Sequence, residues 1–112
     1  MPVKSLAEIG MTLHKVATTK DFPPGSAREI RVAGRSIAVF NVEGTIHAIG
    51  NECTHDGGPL SEGVVSDGCV ICPWHGAEFD LRTGKALTPP AVEDVGSYRV
   101  VVSGDDISLE ID

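Results

Sequence analysis

Basic side chains are scarce in this chain: nine Lys and Arg stand against 16 Asp and Glu, for a formal net charge of −7. A phosphate backbone is bound by clustered Lys and Arg, so nucleic acid is not an expected partner. Aromatics are scarcer, at 4% of residues, which leaves little surface for stacking bases. No run approaches the roughly 18 apolar residues of a membrane span, so no membrane segment is expected. The start, Met1-Pro2-Val3-Lys4-Ser5-Leu6, has neither the apolar core of a secretion signal nor an Arg-Arg pair. A reducing cytoplasm is therefore the expected compartment. Cysteine is limited to three, which cannot all pair. In such a compartment cysteines usually serve metals or catalysis rather than disulfides.

What remains is an ordinary globular composition. Hydrophobic residues make up 41% and charged residues 22%, which argues against disorder. The 112 residues suit one domain with a modest core. An acidic surface favours a basic protein partner.

The chain reads almost entirely as strand and turn. Residues 1–13 show no strong period and are taken as an N-terminal arm or short helix. Glu29-Ile30-Arg31-Val32 alternates charged and apolar, as a half-buried strand does. Ala33-Gly34 turns the chain into a second strand, Ser36–Val42. Glu43-Gly44 closes a hairpin onto Thr45–Ile49. A Gly-rich loop spans Gly50 to Glu62. Val64-Val65 and Cys69-Val70-Ile71 flank Asp67-Gly68 as another hairpin. Cys72 to Glu78 is a second polar loop, and Thr88-Pro89-Pro90-Ala91 is too stiff for a central strand. Tyr98–Val102 and Ile107–Ile111 form the last hairpin. Short strands at regular spacing predict an all-β sandwich or small barrel.

Chemistry concentrates in two segments, Cys53-Thr54-His55-Asp56-Gly57-Gly58-Pro59-Leu60 and Cys72-Pro73-Trp74-His75-Gly76-Ala77-Glu78-Phe79-Asp80. Each offers one thiolate and one imidazole, and 16 residues separate His55 from Cys72. Two loops at one end of a β-structure could converge to present two sulfurs and two nitrogens. Such a set suits iron–sulfur clusters or zinc. Gly57, Gly58 and Gly76 let the backbone approach closely and bend to positive φ, so that N–H groups can face sulfur. A structural zinc usually takes a Cys pair and a separate His pair. Here Cys and His alternate.

The pattern C-x-H, 16 residues, C-x-x-H resembles the Rieske [2Fe–2S] signature, in which two His replace two Cys on one iron. The run Gly57-Gly58-Pro59-Leu60-Ser61-Glu62-Gly63, with Phe79-Asp80, Thr83-Gly84 and Pro89-Pro90, is similar to the Rieske ferredoxins of bacterial oxygenase systems. The resemblance covers about residues 14–112, read as a single domain. It implies a Rieske fold, an antiparallel β-sandwich base carrying a cluster-binding subdomain of two converging loops, here about residues 50–83. It implies one [2Fe–2S] cluster, with Cys53 and Cys72 on the inner iron and His55 and His75 on the outer, solvent-facing iron. It places a proline loop, here Pro89-Pro90, near the cluster. It also implies a soluble, monomeric one-electron carrier rather than an enzyme, fed by a flavin-dependent NAD(P)H ferredoxin reductase and emptied by a terminal oxygenase.

Charge explains the value of this ligand set. Two ferric ions, two sulfides and two thiolates sum to zero, whereas four thiolates would leave a dianion. A neutral centre accepts an electron more readily, which raises the potential to about −150 to +300 mV from roughly −400 mV for plant-type ferredoxins. The electron settles on the His-ligated iron, because neutral imidazole leaves that iron more electron-poor. High-potential relatives carry two extra loop cysteines, and Ser and Tyr hydroxyls near the sulfides. This sequence has Gly58 and Trp74, then Ala77 and Phe79, at the matching positions. Losing those donors predicts a potential near the low end.

Other readings weigh less. Cys69-Val70-Ile71-Cys72 is formally C-x-x-C, but Cys69 falls in an apparent strand and reads as a small buried hydrophobe. His14 and His47 read as surface residues without a ligand role. Trp74 shields the cluster or meets a partner, and the sequence leaves both open. Asp56, Glu62 and Glu78 are a docking patch or simply a solvated acidic face. An oxygenase needs a further two His and a carboxylate on an added catalytic domain, for which no length remains. The small subunit of a larger oxidoreductase such as a nitrite reductase, or a redox or iron sensor, remains as the alternative.

Overall fold

The computed structural model describes residues 10–55, 57–89 and 93–111. Ten strands occur among them: β1 (Thr12–Thr18), β2 (Ala27–Val32), β3 (Arg35–Val42), β4 (Thr45–Gly50), β5 (Val64–Ser66), β6 (Cys69–Ile71), β7 (Glu78–Asp80), β8 (Ser97–Tyr98), β9 (Val100–Ser103) and β10 (Asp106–Ile111). They form three antiparallel sheets with the orders β1-β10-β9, β2-β3-β4-β8 and β5-β6-β7. The expected all-β architecture, a sandwich base with a small added subdomain, is the one observed.

The middle sheet separates two cores. On β3, Ile37 and Val39 face the sandwich interior with Phe22, Ala48, Ile107, Leu109 and Ile111. Ala38 and Phe40, one position out of phase, face the other way, toward Leu60, Val70, Phe79 and Leu81. That is why β3 reads as a nearly continuous apolar run rather than an alternating one: both of its faces are covered. The hairpins around it close on two-residue turns whose central residues both take positive φ, as at Glu43 (54°) and Gly44 (96°). Such turns match the twist of the flanking strands.

Two strands escaped the sequence reading, and a third was read too long. β1 begins at Thr12, inside the stretch assigned to the arm; the first nine residues of that arm lie outside the described residues. Its alternation is broken by a register shift between Lys15 and Ala17 against β10, which hides the period. β7 is only Glu78–Asp80, where the sequence suggested loop as far as Glu78. Tyr98–Val102 divides at Arg99, since Tyr98 pairs with Ala48 of the middle sheet while Val100 pairs with Leu109 of the first. The chain crosses between sheets there, and the apolar pattern continues because each half has a core to face.

The segment after β7 ties the subdomain to the base. Asp80 Oδ1 accepts the N–H groups of Arg82 (2.8 Å) and Thr83 (3.0 Å), Gly84 donates to the Asp80 carbonyl (2.8 Å), and Val95 donates to the Gly84 carbonyl (2.9 Å). Gly84 has φ of +78°, and a Cβ there would overlap the Val95 carbonyl. Both strain and overlap oppose any side chain. Gly84→Ala is therefore expected to lower the unfolding free energy by about 2 kcal/mol or more, read from the urea midpoint.

Candidate metal centre

The two segments singled out by sequence do converge. Cys53 and Cys72 each open a loop, and both thiols are buried in the core that holds Phe40, Leu60 and Phe79. His55 and His75 lie on the exposed side of the same loops, with ring centroids 5.4 Å apart and planes at 80°. The arrangement thus sorts donors by depth, sulfur inside and nitrogen outside.

The loops are backbone copies of one another. In the first, Cys53 N–H donates to the Gly58 carbonyl (2.9 Å) and Gly57 N–H to the Cys53 carbonyl (2.7 Å). In the second, Cys72 N–H donates to the Ala77 carbonyl (2.7 Å) and Gly76 N–H to the Cys72 carbonyl (3.1 Å). Both fourth positions are glycines at positive φ, 77° and 80°. A left-handed residue there turns the chain back on its own cysteine. The sequence signal for this is a shared Cys-x-x-x-Gly, which the unequal Cys–His spacings mask.

The donor chemistry fits a binuclear cluster. Among the described residues no three His, Cys, Asp or Glu side chains converge as a site for one ion. A tetrahedral zinc would need four donors on one point, whereas a [2Fe–2S] group takes two protein ligands per iron and completes each with sulfide. Ala77 and Phe79, at the end of the second loop, are each fully buried and carry no side-chain donor.

The surroundings are acidic and include one large apolar side chain. Trp74, next to His75, is 58% exposed and so is not folded over the loops as a shield. Thr54 donates to the Glu93 carbonyl (2.6 Å), which binds the first loop to the segment following Pro89. Asp56 and Pro90, both singled out by sequence, lie outside the described residues. Residues 50–96 hold eight acidic side chains against Arg82 and Lys85, so six of the seven net negative charges belong to this part of the chain.

The remaining Cys and His residues lie apart from this group. Cys69 on β6 is half-buried rather than fully buried as expected, and its thiol lies 3.7 Å from the Asp67 carbonyl. Burial pushes its pKa above the ordinary thiol value, and the carboxylates of Asp80, Glu78 and Asp67 add to the rise. A thiol so placed is a poor nucleophile, unlike the reactive sulfur of a redox C-x-x-C. His14 and His47 are partly exposed, on β1 and β4. His14 Nε2 is 2.7 Å from Thr12 Oγ1. Burial lowers the His47 pKa, partly offset by Asp80.

Comparison with known proteins agrees with this geometry. The family model for the Rieske [2Fe–2S] domain matches residues 12–99. The biphenyl dioxygenase ferredoxin subunit of Pseudomonas sp. (strain KKS102) is 36% identical over 101 residues, covering 89% of this chain and 93% of that protein. Among solved structures, the ferredoxin of carbazole 1,9a-dioxygenase from Nocardioides aromaticivorans IC177 aligns with a TM-score of 0.83 and 34% identity, covering 88% of this chain and 96% of that one. A chain of the complex of reduced oxygenase and oxidized ferredoxin in carbazole 1,9a-dioxygenase aligns at 0.80 with 31% identity, covering 87% and 91%.

The chain belongs to the Rieske [2Fe–2S] family. Within it, the chain is of the ferredoxin type: an electron carrier rather than an enzyme, whose cofactor is a Rieske-type [2Fe–2S] cluster.

Cys69 supplies a test of this assignment of roles. Its alkylation by iodoacetamide should reach half its maximal rate above the ordinary thiol pKa, because a raised pKa delays thiolate formation as pH rises. Cys69→Ser should leave iron and sulfide content unchanged.

Proposed function

We infer that Cys53 and Cys72 hold the inner iron, that His55 and His75 hold the outer iron, and that electrons enter and leave through the imidazole edges. The observation that carries this reading is the sorting by depth: two buried thiols behind two exposed imidazoles 5.4 Å apart. When bound, the cluster supplies one reversible electron. The chain's own residues do the rest. The thiols and the apolar side chains of Phe40 and Phe79 keep water from the inner side, and Ala77 and Phe79 withhold the hydrogen bonds that would stabilise added charge. The two imidazoles give a partner's redox centre a short path.

The donor is a flavin-dependent NAD(P)H reductase and the acceptor a terminal oxygenase. Support comes from relatives named as dioxygenase ferredoxins, including one seen with its oxygenase. The concentration of negative charge in residues 50–96 orients the chain so that its imidazole face meets a basic surface first. Exposed Trp74 gives that encounter an apolar contact. A shuttle must release each partner, so these complexes are small, weak and salt-sensitive, and the carrier itself is monomeric. It works in the cytoplasm, which suits an odd number of cysteines. Residues 12–111 act as one domain, because β1 starts at Thr12 and pairs with β10, with about 50–83 as the cluster-binding part.

Two outcomes test this. A redox titration should give a midpoint of about −150 mV, and a strongly positive value would refute the argument from Ala77 and Phe79. His75→Cys should lower that midpoint or abolish the cluster; an unaltered spectrum would remove His75 from the ligand set.

A further inference from the structure

The two ligand loops are alike within themselves but are closed differently. The second is the tip of a regular hairpin: below Cys72 and Ala77, Ile71 pairs with Glu78 and Val70 with Phe79 across β6 and β7. Among its described residues the first has no such ladder. Beyond an isolated bridge between Glu52 and Pro59, its outgoing arm becomes a 3₁₀ turn, Leu60–Glu62, which cannot pair as a strand. One residue takes the place of the ladder. Asn51, only 2% exposed, accepts the Leu60 N–H with its carbonyl (2.7 Å) and the Ser61 N–H with its side-chain Oδ1 (2.8 Å).

The other half of the same amide faces the base. Asn51 Nδ2 donates to Glu29 Oε2 (3.0 Å) and lies 3.2 Å from Ser36 Oγ, while the Asn51 N–H donates to the Ser36 carbonyl (3.0 Å). Ser36 in turn donates to Glu29 Oε2 at 2.6 Å. Every hydrogen-bonding group of this buried amide is directed either to the loop or to β2 and β3. An amide is suited to this because it accepts on one side and donates on the other. A carboxylate would keep the loop contact but could not donate to Glu29.

We propose that Asn51 is a positioning residue for the cluster: with Glu29 and Ser36 it clasps the first loop to the base sheet and so fixes Cys53 and His55 against the second loop. The inference rests on the ligand assignment above. Its consequence is asymmetric. Loss of the clasp loosens Cys53 and His55, while Cys72 and His75 stay on their hairpin.

The test uses the full-length protein with its cluster. Cluster loss to a strong iron chelator is followed by absorbance, and the reduced protein's EPR line widths are recorded. Asn51→Ala should lose its cluster about tenfold faster or more, as orphaning buried hydrogen-bond partners implies, with broadened EPR lines. Ser36→Ala, a milder change that spares Asn51, should give a smaller effect of the same kind. Asn51→Asp should also be fast. Adding Glu29→Gln to it should recover most of the loss, because the introduced amide can donate to the introduced carboxylate. That rescue is expected of a clasp and not of a residue that merely fills space. Wild-type lifetime and line width in Asn51→Ala and Ser36→Ala, or no rescue in the double variant, would overturn the proposal. A wild-type spectrum without histidine ligation would instead overturn the ligand assignment.

Discussion

A cluster held by side chains of two separate loops requires that those loops keep a fixed mutual register, and in this molecule one apolar core sets it. Cys53 and Cys72 are buried beside Phe40, Leu60 and Phe79, so the sulfurs cannot move without opening that core. Burial of unpaired thiolates would be unfavourable. Burial of thiolates whose charge is met by ferric ions is not. The oxidised cluster core carries +2 against the −2 of its thiolates, so the formal −7 of the chain is little altered. The base sandwich serves this arrangement through β3, which packs one face on each core and makes the cluster end an extension of the base rather than an appendage.

Depth then determines direction. Under the proposed ligation, with sulfur inside and nitrogen outside, the exposed imidazoles mark the face through which electrons would pass. Charge is unevenly shared along the chain. Most of the net negative charge lies in residues 50–96, while the rest of the chain is close to balanced. Attraction acting over about a Debye length of 8–10 Å orients an approaching partner without holding it, as a shuttle requires. Half-buried Cys69 lies near Cys72 in sequence, but burial and the carboxylates of Asp80, Glu78 and Asp67 raise its pKa and so disfavour its thiolate.

Much of this was legible in the sequence because the signals were local. The X-Gly turns at Glu43-Gly44 and Asp67-Gly68 marked hairpins by the one backbone conformation that favours glycine, and the Cys and His spacings marked the site. What was missed depends on partners distant in the chain. β1 is hidden by its register shift against β10, and the break between β8 and β9 by a crossing between sheets that leaves the apolar pattern unbroken. Asn51 carries no sequence signal, because an asparagine two residues before a cysteine has no pattern of its own. Its importance appears only when Glu29, Ser36 and Ser61 are brought to it.

The central claim, a cluster ligated by two thiols inside and two imidazoles outside, is tested most directly by pulsed EPR on the reduced protein labelled with ¹⁵N-histidine. The account predicts strong couplings to two histidine nitrogens, one belonging to His55 and one to His75, unchanged when His14 and His47 are replaced. An absence of strong nitrogen coupling, or couplings that follow His14 or His47, would contradict it.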